Sequence, residues 1–170
     1  LILIAKNKYA AQQLERQRAN HTLSRVYLAL AEGHWTNQSK SGLIDRPIEK
    51  VPECFNRYQV ADTGRPSRTE YKVLSEFTYE ETPFSLVRLK LKTGRTHQIR
   101  VHMASLSHPL LGDSIYGHEG FLGFDRAALH SFEITCQLPG HQDLAVFSSK
   151  MPEDFQKMIA KSINFSSTLI

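Results

Sequence analysis

The segment from residue 87 to residue 106 changes its hydrophobic period abruptly. Over residues 87–91 apolar residues alternate with basic ones, which is the period of a β-strand with one buried face. After a break at Thr93 and Gly94, apolar residues recur three or four positions apart, as on one face of a helix. The strand residues are Val87, Leu89 and Leu91, and the helix residues are Ile99, Met103 and Leu106. The segment therefore predicts a strand that leads directly into an amphipathic helix.

The rest of the chain shows the same mixture of elements. We predict helices over residues 9–20 and after Pro152, strands at residues 26–31, 68–77, 130–138 and 144–147, a strand at the start and loops over residues 34–66. Strands separated by turns, with helices inserted, favour an α+β fold with a mixed, largely antiparallel sheet over a doubly wound one. The 170 residues fit one domain, which we place at residues 1–165, with residues 166–170 as a frayed tail.

Positive charge is concentrated in one part of the chain. Lys and Arg outnumber Asp and Glu by 21 to 17, yet residues 83–112 contain no acidic residue. The basic residues of this segment are Arg88, Lys90, Lys92, Arg95 and Arg100. Such a segment is typical of a polyanion site, although lysines that protect an exposed edge strand would give the same pattern.

Several classes of function have no signature here. The glycine-rich nucleotide loops, the H-E-x-x-H zinc motif and the G-x-S-x-G elbow are all absent from the sequence. His97 and His102 would lie about 140° apart around a helix, which disfavours a shared metal ion. The cysteines Cys54 and Cys136 are far apart in sequence, which favours a reduced, cytoplasmic setting.

Four segments carry the most specific signal. They are residues 25–33 (RVYLALAEG), residues 67–74 (SRTEYKVL), residues 91–117 with LKTGRTHQIRVHMA and HPLLGDSIYG, and residues 127–130 (AALH). In this order and spacing they resemble the conserved motifs of the RluA-type pseudouridine synthases, which isomerise uridine in ribosomal and transfer RNA. The related small-subunit class usually lacks the HQIRVH form.

The resemblance implies the α+β catalytic fold of that family and an isomerase that needs neither cofactor nor metal. Its partner would be ribosomal or transfer RNA in the cytoplasm, and we expect a monomer although the sequence leaves the oligomeric state open. Tyr27 and Arg100 would be the catalytic residues, and Leu129 would pack near the target base. The expected RNA contacts are Arg88, Lys90, Lys92, Arg95, His97, Gln98 and Leu129.

Elementary chemistry agrees with the two catalytic assignments. An aromatic ring can stack on a flipped base, and a phenol can move a proton. A permanently charged arginine lowers the pKa of a neighbouring carboxylate and holds it with two hydrogen bonds. Tyr27 shares its strand face with Ala29 and Ala31, whose small side chains would leave room for a ligand. The alternatives are a core tyrosine and an exposed helix arginine at position 100.

The nucleophile is the point at which this sequence departs from the family. There an aspartate stands in a His-Arg-Leu-Asp motif, followed by Thr-Ser-Gly-Leu, just before a strand that residues 1–6 (LILIAK) resemble. None of the aspartates present has that context, namely Asp45, Asp62, Asp113, Asp125, Asp143 and Asp154. We therefore expect the nucleophile upstream of Leu1 and the chain as given to be inactive.

Two other functions remain open at this stage. A synthase-like fold could bind RNA without performing chemistry, in which case affinity would depend on salt through the basic segment. A metal-dependent hydrolase built on the histidines would require bound zinc.

Overall fold

The fold is that of a computed structural model, which describes residues 1–168 and their side chains through residue 163. These residues form three α-helices: α1 (Lys8–Ala19), α2 (Gln98–Ser105) and α3 (Glu153–Thr168). They also form eight strands: β1 (Ser24–Glu32), β2 (Ser41–Asp45), β3 (Ile48–Lys50), β4 (Tyr58–Val60), β5 (Arg68–Tyr79), β6 (Thr82–Leu91), β7 (Leu129–Gln137) and β8 (Leu144–Ser148). Within this part of the chain, no helix is both long and apolar enough to span a membrane.

Six strands form one sheet in the order β2-β5-β6-β1-β7-β8. Every neighbouring pair in that sheet is antiparallel. β3 and β4 form a separate two-stranded hairpin. The predicted α+β fold with a largely antiparallel sheet is confirmed.

Alternation along β1 gives the sheet two differently covered faces. We call the face that carries Tyr27 and Leu89 the front face, which α2 covers, and the opposite face the back face, which α3 covers. The buried front cluster contains Ala29, Ala31, Val87, Leu89, Ile99, Met103 and Leu110, among others. The buried back cluster includes Leu28, Leu30, Phe84, Leu86, Phe155 and Met158.

Local sequence explains where the helices begin. The side chain of Asn7 accepts a hydrogen bond from the backbone N–H of Ala10 at 2.8 Å and so caps α1. α3 begins directly after Pro152 with two acidic residues, which suit a helix N-terminus. Phe155 of α3 is fully buried.

The position of β6 decides between the two explanations of the basic segment. β6 lies inside the sheet between β5 and β1, so its basic residues do not protect an edge, and that alternative is wrong. Arg88 pairs across the strands with Leu28, and Lys90 pairs with Val26. Both basic side chains therefore lie on the back face, beside the part that α3 covers.

Two predictions of local structure fail. Residues 34–66 contain the short strands β2, β3 and β4, whose three to five residues are too few to show a clear period. Residues 1–5 do not form a strand, since they make no backbone ladder with any strand of the sheet. The amino group of Leu1 still donates a hydrogen bond to the carbonyl of Ser131 at 3.1 Å. Of the predicted frayed tail, residues 169 and 170 lie outside the described residues.

Candidate active site

Tyr27 lies half-buried on the front face, between Leu89 of β6 and Ser131 of β7. Its hydroxyl has no hydrogen-bond partner among the described residues. The ring lines a cleft of about 390 Å³, whose other walls come from α1, β7 and residues 1–5. A phenol can both donate and accept a hydrogen bond, so this one is free to meet a ligand in the cleft.

The open space does not lie where the sequence suggested. Ala29 and Ala31 are fully buried, because Ile99 and Met103 of α2 pack in the same cluster. The prediction of ligand space beside these alanines is therefore wrong. The space lies on the other side of Tyr27, towards α1.

Arg100 projects from α2, and Asp113 binds its guanidinium through two hydrogen bonds. Nε of Arg100 donates to Oδ2 at 2.7 Å, and Nη2 donates to Oδ1 at 2.5 Å. The Asp113 side chain is 0% exposed and that of Arg100 is 17% exposed, so Arg100 is not the exposed helix arginine of the alternative reading. The backbone N–H groups of Ile115 and Tyr116 also donate to Oδ1 of Asp113, at 3.0 and 3.1 Å.

This pairing determines the charge state of both residues. Burial by itself would raise the pKa of Asp113, but the hydrogen bonds from Arg100 and from two backbone N–H groups outweigh it and lower that pKa. The hydrogen bond to Asp113 raises the pKa of Arg100. Both groups are therefore ionised at neutral pH.

Arg100 keeps donors free for a second anion. Arginine carries five N–H groups. Two of those of Arg100 bind Asp113, and Nη1 donates a third to Nε2 of His97 at 3.2 Å. The remaining two could hold a further carboxylate without any loss of Asp113.

His97 connects Arg100 to the β3–β4 hairpin. It precedes α2 in a left-handed conformation, with φ of 55°. Because Nε2 accepts from Arg100, Nδ1 carries the proton and donates to the Tyr116 hydroxyl at 3.0 Å. The same hydroxyl accepts the backbone N–H of Tyr58 in β4 at 2.9 Å. Burial is the main cause that lowers the pKa of His97, and the nearby charge of Arg100 lowers it further.

Gln98 lies in the scaffold below the site. Its side chain is buried, and Oε1 accepts from the Thr93 hydroxyl at 2.8 Å and from the Arg95 N–H at 3.0 Å. Its Nε2 donates to the Arg68 carbonyl and to the Thr69 hydroxyl, at 3.0 and 2.9 Å. These bonds attach the loop before α2 to β5, so Gln98 shapes this loop and is not open to solvent.

The other expected RNA contacts fall into two groups. Arg88, Lys90 and Lys92 belong to the back-face stripe, and Lys92 binds Glu70 at 2.9 Å. Arg95 lies in the loop that precedes α2. The residues of this stripe do not line the cleft of Tyr27 itself, and a role for them in RNA binding stays a prediction.

Leu129 does lie on the front face. It begins β7, pairs with Ala29 of β1 and packs at the border of the cluster that contains Tyr27. Its position is compatible with the expected contact to a base.

Sequence reasoning missed the network around Arg100. The sequence indicates only that Asp113 lacks the context of the nucleophile, and it singles out neither Tyr58 nor Tyr116. One signal was available, because Asp113 is the first acidic residue after the acid-free segment that contains Arg100. Tyr58 could not be found this way, since its contribution is a backbone N–H.

Both ring nitrogens of His102 take part in hydrogen bonds. Nδ1 of His102 is 2.9 Å from the Thr69 hydroxyl, and Nε2 is 2.9 Å from the Arg46 carbonyl. Burial is the largest cause that lowers the pKa of His102, which keeps the ring neutral. Over the residues with described side chains, no three His, Cys, Asp or Glu converge as metal ligands.

Solved structures share this fold. The human protein "RNA Pseudouridylate Synthase Domain Containing 1" superposes with a TM-score of 0.70 and 30% identity over 86% of this chain and 62% of its own. Human "RNA Pseudouridylate Synthase Domain Containing 4" gives a TM-score of 0.68 at 20% identity over 91% of this chain and 68% of its own, which supports the fold alone.

Sequence comparison defines the family. Residues 1–105 match the profile described as RNA pseudouridylate synthase, and the chain belongs to that family. It is 35% identical over 167 residues to "Ribosomal large subunit pseudouridine synthase D" of Nitrosomonas europaea, covering 94% of this chain and 46% of that protein. It is 40% identical over 157 residues to "Uncharacterized RNA pseudouridine synthase YhcT" of Bacillus subtilis, covering 92% and 50%. The chain thus spans about half the length of these relatives, and the family predicted from the four motifs is confirmed.

Proposed function

We propose that this chain forms the catalytic core of an enzyme that isomerises a uridine of structured RNA, ribosomal or transfer RNA, to pseudouridine. The observation that carries the proposal is the hydroxyl of Tyr27, which has no partner among the described residues and belongs to a side chain that lines an open cleft of the front face. Family membership and the names of the relatives support uridine in RNA as the substrate. The thiols of Cys54 and Cys136 are free, which supports a reducing, cytoplasmic location.

In the proposed reaction a carboxylate attacks the target nucleotide, and the bond between the sugar and N1 of uracil breaks. The released base turns, and its C5 bonds to the same sugar as the bond to the carboxylate breaks, which regenerates the carboxylate. C5 then loses its proton, and N1 gains one. Tyr27 would stack on the base and accept or relay the proton from C5 through its hydroxyl. Leu129 would pack against the base from β7.

Arg100 would hold the attacking carboxylate in its ionised form. Its two free N–H groups match the two oxygens of a carboxylate, and its positive charge lowers the pKa of such a group. Asp113 is already bound on the other side and is fully buried, so it is not the nucleophile in this proposal. We propose that the nucleophilic aspartate is supplied by a longer protein, since the relatives are about twice as long as the matched region.

Tritium release tests the proposal. The protein expressed from its whole gene is incubated with ribosomal or transfer RNA that carries 5-tritiated uridine, and tritium in the solvent is counted. We expect release with the whole protein and none with the 170-residue chain alone. RNA that is bound without tritium release would support the non-catalytic binding module. Zinc found by elemental analysis of active protein that releases no tritium would favour the metal-dependent hydrolase.

A further inference from the structure

A second groove adjoins the Tyr27 cleft. It has a volume of about 340 Å³ and lies where the end of α1 and the start of β1 face the loop between β6 and α2. Its charged walls are formed by Glu15, Arg18, Arg25, Lys90, Lys92 and Arg95.

The charge of this groove is strongly one-sided. Glu15 is the one acidic residue among its walls, and it is bound to Arg18 at 2.6 Å. Among the described residues, no carboxylate lies within 4.0 Å of the side-chain nitrogens of Arg25, Lys90 or Arg95. Uncompensated cations that line a groove attract a polyanion.

Arg25 is placed in the groove by Gly94. A Cβ atom added to Gly94 would lie 2.6 Å from Nη2 and 3.2 Å from Nη1 of Arg25. The guanidinium therefore rests against the backbone of Gly94, an approach that any side chain at this position would block. Because the obstructed atoms are the end of a flexible side chain, alanine at position 94 would displace the guanidinium without disrupting the fold.

The groove continues into the cleft of Tyr27. Glu15, Arg18, Leu23 and Arg25 line both cavities. A chain that places one unit beside Tyr27 therefore has its neighbouring unit beside Arg25. Arginine suits the phosphate of that unit, since its planar group can donate two parallel hydrogen bonds to phosphate oxygens.

We propose that this groove binds the phosphodiester backbone of the RNA strand next to the nucleotide in the Tyr27 cleft, with Arg25 and Arg18 as its main contacts. The inference rests on the proposed function for the kind of polyanion. It adds two arginines that the motif comparison did not assign to RNA, and it explains the absence of a side chain at position 94.

Binding of labelled RNA tests the groove in the 170-residue chain. The probe is a fluorescein-labelled single-stranded oligouridine, measured by fluorescence anisotropy over a range of salt concentrations. Arg25→Gln should weaken binding about tenfold, because it removes a charge-assisted phosphate contact. The slope of log affinity against log salt should fall by about 0.7 for the lost phosphate contact.

Two further variants complete the design. Gly94→Ala should also weaken RNA binding, because it displaces the guanidinium of Arg25 although the charge is kept. The melting temperature should not change. Arg16→Gln is the matched control, because Arg16 is an exposed arginine of α1 about 200° around the helix from Arg18 and is not part of the groove. It should leave affinity within twofold.

The outcomes separate the groove from the proposed function. Equal losses in Arg25→Gln and Arg16→Gln, unchanged affinity in Gly94→Ala, or no binding of the probe at all would overturn the groove. Tritium release by the whole protein together with such a result would leave the proposed function standing. Affinity that depends on Arg25 and Gly94, with no tritium release by the whole protein, would support the groove and refute the isomerase.

Discussion

The two faces of the sheet come from the same alternating strands, yet they differ in what covers them. α3 packs Phe155 and Met158 into a purely apolar back cluster. α2 packs Ile99 and Met103 onto the front face, and it also carries Arg100 into a network of hydrogen bonds. The back cluster thus serves stability, while the front face combines a core with an open cleft and a network of polar side chains.

This difference shows that the hydrogen-bond network of the front face forms only when separate segments of the chain are brought together by the fold. Arg100 lies in α2, His97 directly precedes it, and Tyr116 and Asp113 lie in the loop that follows it. Tyr58 comes from the β3–β4 hairpin. The buried carboxylate of Asp113 accepts four hydrogen bonds within this network, which is the condition for burying charge at tolerable cost. We therefore expect a substitution in the front-face cleft to change function, and a substitution in the back-face cluster to change stability.

The largest effect should come from the hydroxyl of Tyr27. In the protein expressed from its whole gene, Tyr27→Phe should lower tritium release by roughly 10²- to 10⁴-fold, because a group that moves a proton contributes about that factor. The hydroxyl has no partner among the described residues, so the free energy of unfolding should change by less than about 0.5 kcal/mol.

Tyr71→Phe is the matched control on the same face. Its hydroxyl donates to the Ser39 carbonyl at 3.1 Å, away from the cleft, so turnover should be retained. A large loss of stability in Tyr27→Phe, with turnover per folded molecule unchanged, would mean that Tyr27 is a structural core residue and not a catalytic one.

On the back face, a substitution should lower stability and leave RNA binding by the folded protein unchanged. Phe155→Ala should lower the free energy of unfolding by about 3–5 kcal/mol, because it opens a cavity in a fully buried cluster. Urea unfolding followed by circular dichroism measures this loss. The affinity of the folded fraction for RNA should stay constant, and a specific loss of affinity would mean that the two faces are not separate.

Features that depend on local sequence patterns could be predicted, whereas contacts between segments distant in sequence could not. Period-two alternation predicted β1 and β6 and the opposite faces of Tyr27 and Leu28, because each pattern is local. The motif resemblance predicted the family and the importance of Arg100. The pairing of Arg100 with Asp113 and the approach of Arg25 to Gly94 could not be predicted, since both depend on loop positions that no local period encodes.

The pairing of Arg100 with Asp113 should contribute a smaller, pH-dependent part of the stability. Asp113→Asn should cost about 3 kcal/mol, because it leaves the mostly buried Arg100 without its counter-ion. The pKa of Asp113 is lowered in the folded state, so its contribution is complete above the unfolded pKa of about 3.9 and is lost as pH falls through the folded pKa.

Urea unfolding between pH 2 and pH 7 checks this sign. The wild-type chain should lose stability more steeply than Asp113→Asn below about pH 4. Parallel curves for the two proteins would contradict the assigned ion pair.

The smallest effect should come from the back-face ion pair between Lys92 and Glu70, which has the same chemistry as the front-face pair but a different exposure. The two side chains are 42% and 45% exposed at a distance of 2.9 Å, so solvent and salt screen their attraction. Glu70→Gln should therefore change the free energy of unfolding by about 0–1 kcal/mol, measured by urea unfolding at neutral pH. The effect should vanish in high salt, whereas that of Asp113→Asn should persist because burial protects its partner from screening. A loss in Glu70→Gln as large as in Asp113→Asn would mean that burial does not set the difference between the two pairs.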